Sequence, residues 1–534
     1  MTVLGVDIGT SSSKGVLVDE DGTVLATAVR PHTVDRPRPG HVEMDARVWW
    51  DEFASLAREL LTSPHDGASV TAVGVSGMGP CVTLTDAADT PLRPAILYGV
   101  DTRATEQIAR LEAELGRDAV LRRCGSLLST QAVGPKIAWL AEHEPETVAR
   151  ARRLYMPSSY LVRRLTGAYT LDHHSASQAV PLYDSVAQEW YAPWTRHIAP
   201  WLEPPRLLWP GDIAGRVTAE AADATGLPVG VPVITGTVDA WSEALSVGAQ
   251  HTGDLMLMYG STMFLIHTLA DRLLVPELWS TVGALPGTRS LAGGMATSGV
   301  ITDWLRELSG APDHATLLAE AAESGPGARG LLMLPYFAGE RTPVADPHAR
   351  GVIAGLTIEH TRGDLYRAAL EATAFGVRHN VEAMRAAGAD VRRVVAVGGG
   401  VRGGLWTGIV SSVTGLEQEV RTVSLGASYG AAFLAAGAVG DPRIDAWNPV
   451  RERVAPDPLL RARYDELYAL YLGLYPATRD ISHALAGHQL SGHQSSTDGV
   501  SVDRASVDRQ SRDGQRHDRQ SRDGQSARRR DAHG

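Results

Sequence analysis

Short apolar runs broken by polar turns set the rhythm of the chain from its first residues. The pattern predicts strands over Val3–Asp7, Lys14–Val18 and Thr23–Ala28, with "DEDG" as the hairpin turn between the last two. "ASVTAVGVSG" predicts another buried strand, and "CVTLTDAADTPLRPAILY" a second hairpin around a polar turn. Helical spacing takes over from about Thr102 to Leu115. The strand "VPVITGTVDA" then leads into a helix of small residues, "WSEALSVGA". At Gly253 the opening repeats: "GDLMLMYGSTMFLIHT" is an apolar run, a Gly-Ser-Thr turn and a second apolar run.

Further on, Thr361 and Asp364 form a T-x-x-D capping box, and Leu365, Ala368, Ala369, Ala372, Phe375 and Met384 follow at helical spacing. The strand "RRVVAV", the turn "GGGVRGG", a helix and the strand "QEVRTV" come next. "LGASYGAAFLAAGAVG" closes the body as a helix of small residues suited to close packing. Two halves that each open with strand, Gly-hydroxyl turn and strand predict a duplicated α/β domain with a cleft between the copies. The first copy is placed at 1–248 and the second at 249–486. From Gly487 apolar residues almost vanish and "DRQSRDGQ" occurs at 508–515 and again at 518–525. Such a segment cannot bury enough to offset its ordering entropy, so 487–534 is expected to be a disordered low-complexity tail.

Composition narrows the class. The 534 residues exceed one hydrophobic core, and 44% apolar with 21% charged residues is a globular balance. A net charge of −11 argues against bulk nucleic-acid binding. The tail holds seven Asp and nine Arg, so the negative charge belongs to the body. Cys81 and Cys124 alone indicate neither a disulfide framework nor a cysteine zinc cluster. No apolar run approaches the ~20 residues of a membrane span. The first strand leaves no room for a signal peptide, so the protein is expected in the cytoplasm.

The chemistry gathers in a few turns. In "VDIGTSSSKG", Gly9 lets backbone approach a phosphate, Thr10, Ser11, Ser12 and Ser13 offer amides and hydroxyls, and Lys14 adds charge. Asp7, at the strand end, is a hard oxygen ligand suited to Mg²⁺ through water. An ordinary polar hairpin is the plainer alternative, and no G-x-x-x-x-G-K-[ST] loop occurs. Gly398–Gly403 matches G-x-G-x-x-G, with Glu417 and Glu419 near the acidic position of a dinucleotide fold. That leaves an NAD-dependent dehydrogenase open beside a backbone platform for adenosine. Asp239 follows a buried strand, where it either accepts a proton from a substrate hydroxyl or caps the next helix. Asp101 and Arg103 could bind polyol hydroxyls, or be a cap and a surface arginine. His173 and His174 read as loop histidines, and Trp49 and Trp50 as packing residues.

Together these segments resemble the FGGY family of carbohydrate kinases, whose members share the actin-like, ribonuclease H-like ATPase fold. The likeness runs from Val3 to about Gly440 with the motifs in the family's order. "GVDIGTSSSKGVLVD" and "MYGSTMF" look like its two phosphate hairpins, and "HVEMDARVWW" like the segment before its first long helix. "LRPAILYGVDTRA" is similar to its sugar-contacting stretch and "TGTVDAW" to the segment with its catalytic aspartate. "ERTPVADPHARGVIAGL" and "VGGGVRGGLW" resemble its second-domain signature and adenosine site. The resemblance implies two actin-like domains around a central cleft, and ATP-dependent phosphorylation of a sugar hydroxyl, a ketopentose such as xylulose. It implies Asp239 as general base and Asp7 as the residue that positions Mg²⁺. Gly9, Thr10, Ser11, Lys14, Gly260, Ser261 and Thr262 would hold phosphates, and Gly299, Gly399, Gly400 and Gly404 would flank the nucleotide. Met78, Gly79, Pro80, Asp101 and Arg103 would line the sugar pocket. The implied partner is a small-molecule sugar, with a homodimer allowed and neither nucleic acid nor membrane expected.

The chain departs from the family in places. "SGMGPC" puts Gly79 and Pro80 where xylulokinases typically carry Met-His, and Gly404 stands where asparagine or serine is common. A catalytically idle sensor of the same fold is the second reading.

Overall fold

The computed structural model describes residues 2–62 and 70–499. Its frame is two seven-stranded sheets. The strands of the first are β1 (Thr2–Ile8), β2 (Ser12–Asp19), β3 (Val24–Pro31), β4 (Val70–Gly77), β5 (Ile213–Arg216), β6 (Pro232–Ile234) and β7 (Thr237–Val238). They run in the order β5-β6-β4-β1-β2-β3, with β7 added beside β4. β1, β2 and β3 pair antiparallel, whereas β1, β4 and β6 pair parallel. Val3, Leu4, Val6 and Ile8 are all buried, as a central strand covered on both faces requires.

The second sheet holds β8 (Asp254–Tyr259), β9 (Met263–Leu269), β10 (Trp279–Val282), β11 (Arg289–Met295), β12 (Arg393–Val397), β13 (Gln418–Arg421) and β14 (Val450–Val454), in the order β10-β11-β9-β8-β12-β13-β14. Its β11-β9-β8 run is antiparallel and β8-β12-β13 parallel. That repeats the β3-β2-β1 and β1-β4-β6 arrangement of the first sheet, so the duplication expected from the two hairpins is a duplication of sheet topology.

The helices that matter for the site are α1 (Ala46–Leu61), α2 (His173–Ser177), α3 (Asp239–Ser246), α4 (Gly299–Leu308), α5 (Arg362–Ala386), α6 (Leu405–Thr414), α7 (Ala427–Gly437) and α8 (Arg461–Gly499). Trp49 and Trp50 lie on the buried face of α1, as expected of packing residues. The Thr361–Asp364 capping box opens α5.

Helix α7 is late in the chain, yet it packs on β1 and β4 of the first sheet and on α3. Its small residues are the reason. A Cβ on Gly5 would lie 2.1 Å from the Ser428 carbonyl oxygen, and one on Gly74 would lie 2.0 Å from that of Ala431. Gly430 returns the favour to α3, where a Cβ would sit 1.8 Å from the Ser242 carbonyl oxygen. Backbones approach here as side chains would forbid.

Several local expectations are corrected. The arms of "CVTLTDAADTPLRPAILY" do meet antiparallel, at Val82–Ile96 and Thr85–Pro91, but each also pairs outward, Thr83–Thr85 with Arg153–Tyr155 and Ala95–Ile96 with Glu43–Met44. "VPVITGTVDA" is not one strand: Gly236, at φ 71°, turns the chain between β6 and β7, so Asp239 opens a helix. His173 and His174 start α2, which Asp172 caps by accepting from the Ser175 N–H, and are not loop residues. Helix α8 is drawn to Gly499. Of the expected tail, 500–534 lies outside the described residues. Among the described residues no helix is long and apolar enough to cross a membrane.

Candidate active site

A cleft of about 640 Å³ opens between the two sheets, walled by Asp7, Lys14, Asp239 and Glu243 from the first half and by Thr262, Arg341, Gly398 and Gly399 from the second. Asp7, next to last in β1, lies in register opposite Lys14 on β2, which puts the two side chains on one face. Ser76, its neighbour on β4, donates to Asp7 Oδ1 at 2.9 Å. Asp239 begins α3, and its Oδ1 accepts from the Ala240 N–H at 2.8 Å. Glu243 follows one turn later and shares that helix face.

Three carboxyls around one lysine make a strained electrostatic site. Burial first, then the charge of Asp239, push the Asp7 carboxyl up to about 8, against the Ser76 hydrogen bond and Lys14. Burial lifts Asp239 to about 6, opposed by its Ala240 hydrogen bond. Burial and Asp239 together lift Glu243 to about 7, with Lys14 pulling the other way. Added positive charge would relieve all three groups. Among the described residues no three acidic, His or Cys side chains converge closely enough to enclose a metal directly. Carboxylate oxygens such as those of Asp7 and Glu243 are the hard donors that suit Mg²⁺, which keeps several of its waters.

The two Gly-hydroxyl turns flank this cleft. In the first, Gly9 N–H closes on the Ser12 carbonyl at 3.1 Å. Thr10 Oγ1 lies 3.0 Å from the Tyr98 hydroxyl, so it is already engaged, while Ser11 is exposed. His32 Nε2 holds the Gly9 carbonyl at 3.0 Å, and Glu52 holds both His32 Nδ1 at 2.9 Å and Ser13 Oγ at 2.5 Å. In the second turn, Gly260 N–H closes on the Thr262 carbonyl at 3.1 Å. Ser298 N–H donates to the Ser261 carbonyl at 2.9 Å and Gly299 N–H to that of Gly260 at 3.0 Å. A Cβ on Gly299 would lie 2.6 Å from the Gly260 oxygen, so this glycine lets the head of α4 lock onto the turn.

The glycine turn after β12 divides its labour. Gly399 has open space at its Cβ position and Gly398 lines the cleft. Gly400 faces inward, where a Cβ would meet the Trp406 ring at 2.7 Å. Gly404, at φ 72°, precedes α6. Glu419, near the position a dinucleotide fold would use for ribose, is instead paired with Arg393 at 2.8 Å and Arg453 at 2.9 Å.

The expected sugar contacts separate. Gly79 is in the cleft wall, beside buried Met78 and followed by Pro80 through a cis peptide. A Cβ on Gly79 would lie 2.9 Å from Val238 Cγ2, next to Asp239. Asp101 and Arg103 turn away from the wall: the two pair at 2.7 Å, Arg103 also reaches Glu43 at 2.7 Å, and Asp101 accepts from the Val42 N–H at 2.6 Å. Buried together, the two charges compensate each other, and removing either would leave the other uncompensated. Not anticipated were Glu243, Tyr98, Gln131, Gln178 and Arg341, all in the wall. Only Glu243 had a readable signal, its i+4 spacing from Asp239.

Models of the N-terminal and C-terminal domains of the FGGY family of carbohydrate kinases match residues 2–246 and 255–439. A xylulose kinase of Escherichia coli strain K12 is 31% identical over 436 residues, 81% of this chain and 89% of that protein. A xylulose kinase of Streptomyces rubiginosus is 32% identical over 488 residues, 85% of this chain and 93% of that protein. The solved structure of xylulose kinase from Rhodospirillum rubrum has a TM-score of 0.84 at 35% identity, covering 90% of this chain and 100% of that one.

Proposed function

The chain belongs to the FGGY family of carbohydrate kinases and is an ATP-dependent sugar kinase, and we propose that its acceptor is xylulose, with Asp239 as general base. Relatives named for xylulose support the acceptor. The base rests on one observation: Asp239 heads α3 in the cleft wall, poised near pH 6 by burial, with Asp7 and Lys14 in the same wall. A carboxyl so poised is ionised at neutral pH yet a stronger base than a surface aspartate.

In this reading Asp239 takes the proton of the sugar hydroxyl as that oxygen attacks the γ-phosphorus of ATP. The bond from phosphorus to the β,γ-bridging oxygen breaks and ADP leaves. Negative charge spreads over the γ-phosphoryl oxygens, where Lys14 and the turns at Gly9–Ser12 and Gly260–Thr262 meet it with pre-aligned donors. Asp7, helped by Glu243, would hold a hydrated Mg²⁺, which when bound neutralises phosphate charge. Drawing the halves together excludes water, the competing phosphoryl acceptor. The domain carrying Asp7 and Asp239 is taken as 1–248 and the nucleotide-binding domain as 249–486. An intracellular cosubstrate makes the cytoplasm its place of work.

The test is ADP release from Mg-ATP with D-xylulose, L-xylulose, D-ribulose, L-ribulose, fructose, xylitol, glycerol and no sugar. A strong response to xylulose is expected. A response to another sugar alone would discard xylulose and keep the kinase. Silence with ATP still bound would favour the idle sensor.

A further inference from the structure

One corner of the cleft is built from both halves at once. Helix α2 of the first half meets the edge strand β10 of the second: the Val282 N–H donates to Ser177 Oγ at 3.2 Å, and His174 Nδ1 lies 2.7 Å from the Val282 carbonyl. A carbonyl oxygen can only accept, so His174 Nδ1 carries the hydrogen. The same ring, fully buried, lies 3.9 Å from the ring of Trp241, two residues after Asp239. Its Nε2 is 2.6 Å from the Gln178 amide nitrogen. In the neutral imidazole Nε2 has only a lone pair to offer, so it accepts from that nitrogen and cannot face the amide oxygen. Burial holds the imidazole well down, to about 4, in keeping with the neutral form. Gln178 Oε1 is thereby left over, on a side chain that lines the cleft, and none of the described residues donates to it.

We propose that Gln178 is a sugar-recognition residue whose Oε1 accepts from one substrate hydroxyl, and that His174 is the positioning residue that fixes which end of the amide faces the cleft. This rests on the sugar-kinase reading above. An unrestrained glutamine offers either its oxygen or its nitrogen and so discriminates little. Fixed by His174, it offers only an acceptor and demands a donor from the ligand. The demand is well placed, because Gly79 and Pro80 contribute no polar side chain to the pocket. The fixing bond comes from Val282, so the acceptor is set only while the two halves are in contact.

The experiment is a double-mutant cycle of Gln178→Leu and His174→Phe, the second keeping a ring against Trp241. It is read on whichever panel sugar the unaltered chain phosphorylates and on that sugar's deoxy analogues. Each single variant is expected to raise the sugar KM about tenfold, the worth of one well-made hydrogen bond, and the double variant no further. The KM for ATP and kcat should stay within about twofold, and one deoxy analogue should lose its disadvantage. An unchanged sugar KM in Gln178→Leu, or costs that add in the double variant, would overturn the proposal and leave the kinase reading standing. Should Gln178→Leu fail to fold, Gln178→Asn withdraws the same amide by one methylene and carries the same expectation. Silence of the unaltered chain across the panel would overturn both.

Discussion

Replacing Asp239 by asparagine separates what this carboxyl does for the reaction from what it costs the fold. Asparagine keeps the shape and can still accept from the Ala240 N–H, but it takes no proton. Loss of a general base lowers turnover by about 10²–10⁴-fold, a rise in the barrier of roughly 3–5 kcal/mol. The fold should respond in the opposite direction. An acid whose folded pKa is raised destabilises the native state above that pKa. Asp239, moved from 3.8 to about 6, accounts for roughly 3 kcal/mol at pH 7. That cost fades as the pH falls from 6 toward 3.8, where both states are protonated. Asparagine never bears it, and it also removes the charge that lifts Asp7 and Glu243. Asp239→Asn should therefore be nearly inactive, bind ATP about as well as the parent, and melt at a higher temperature at pH 7, with the gap narrowing toward pH 5. Single-turnover ADP formation and thermal melts at both pH values read all three. Turnover within tenfold of the parent would remove Asp239 from the base role, and a lower melting temperature at pH 7 would refute the electrostatic account.

For the unaltered enzyme, kcat/KM should fall about tenfold per pH unit below about pH 6, since protonated Asp239 cannot act as base; a flat profile from pH 7 to 5 would contradict this. Gly430→Ala drives a Cβ to within 1.8 Å of the Ser242 carbonyl oxygen and should cost at least about 2 kcal/mol in denaturant unfolding, with kinase activity lost in step with folding. Ending the chain after Gly499 should leave stability and activity unchanged. Ending it after Ala486 removes Gln489, which accepts from Arg350 Nε at 2.8 Å, and should lower the melting temperature measurably.

What could be read along the chain was whatever its own neighbours decide. The turns at Gly9 and Gly260 lie between strands that pair with each other, so spacing alone exposes them. Asp239 stands out because an apolar run ends beside it. Partners distant in sequence were not legible. Thr10 is engaged by Tyr98 across 88 residues, and His174 by Val282 across 108. Asp101 and Arg103 showed the converse error: a charged pair at a strand-to-helix junction looks ready for a ligand until Glu43 and the Val42 amide are seen to occupy it. Gly299 and Gly400 were expected beside the nucleotide; what their missing side chains make room for is the Gly260 carbonyl and Trp406. A glycine reports that something comes close, not what it is.

The seat of α7 bears on how the protein is made. Gly5 and Gly74 leave the ribosome early, whereas the helix that covers them begins at Ala427. At about 5–20 residues per second, roughly 20–70 s separate the groove from its cover. During that interval β1 and β4 present an uncovered apolar surface, so the N-terminal half cannot complete its packing during synthesis. An N-terminal fragment ending near residue 248 should accordingly aggregate when expressed alone, and regain solubility when the C-terminal half is supplied beside it.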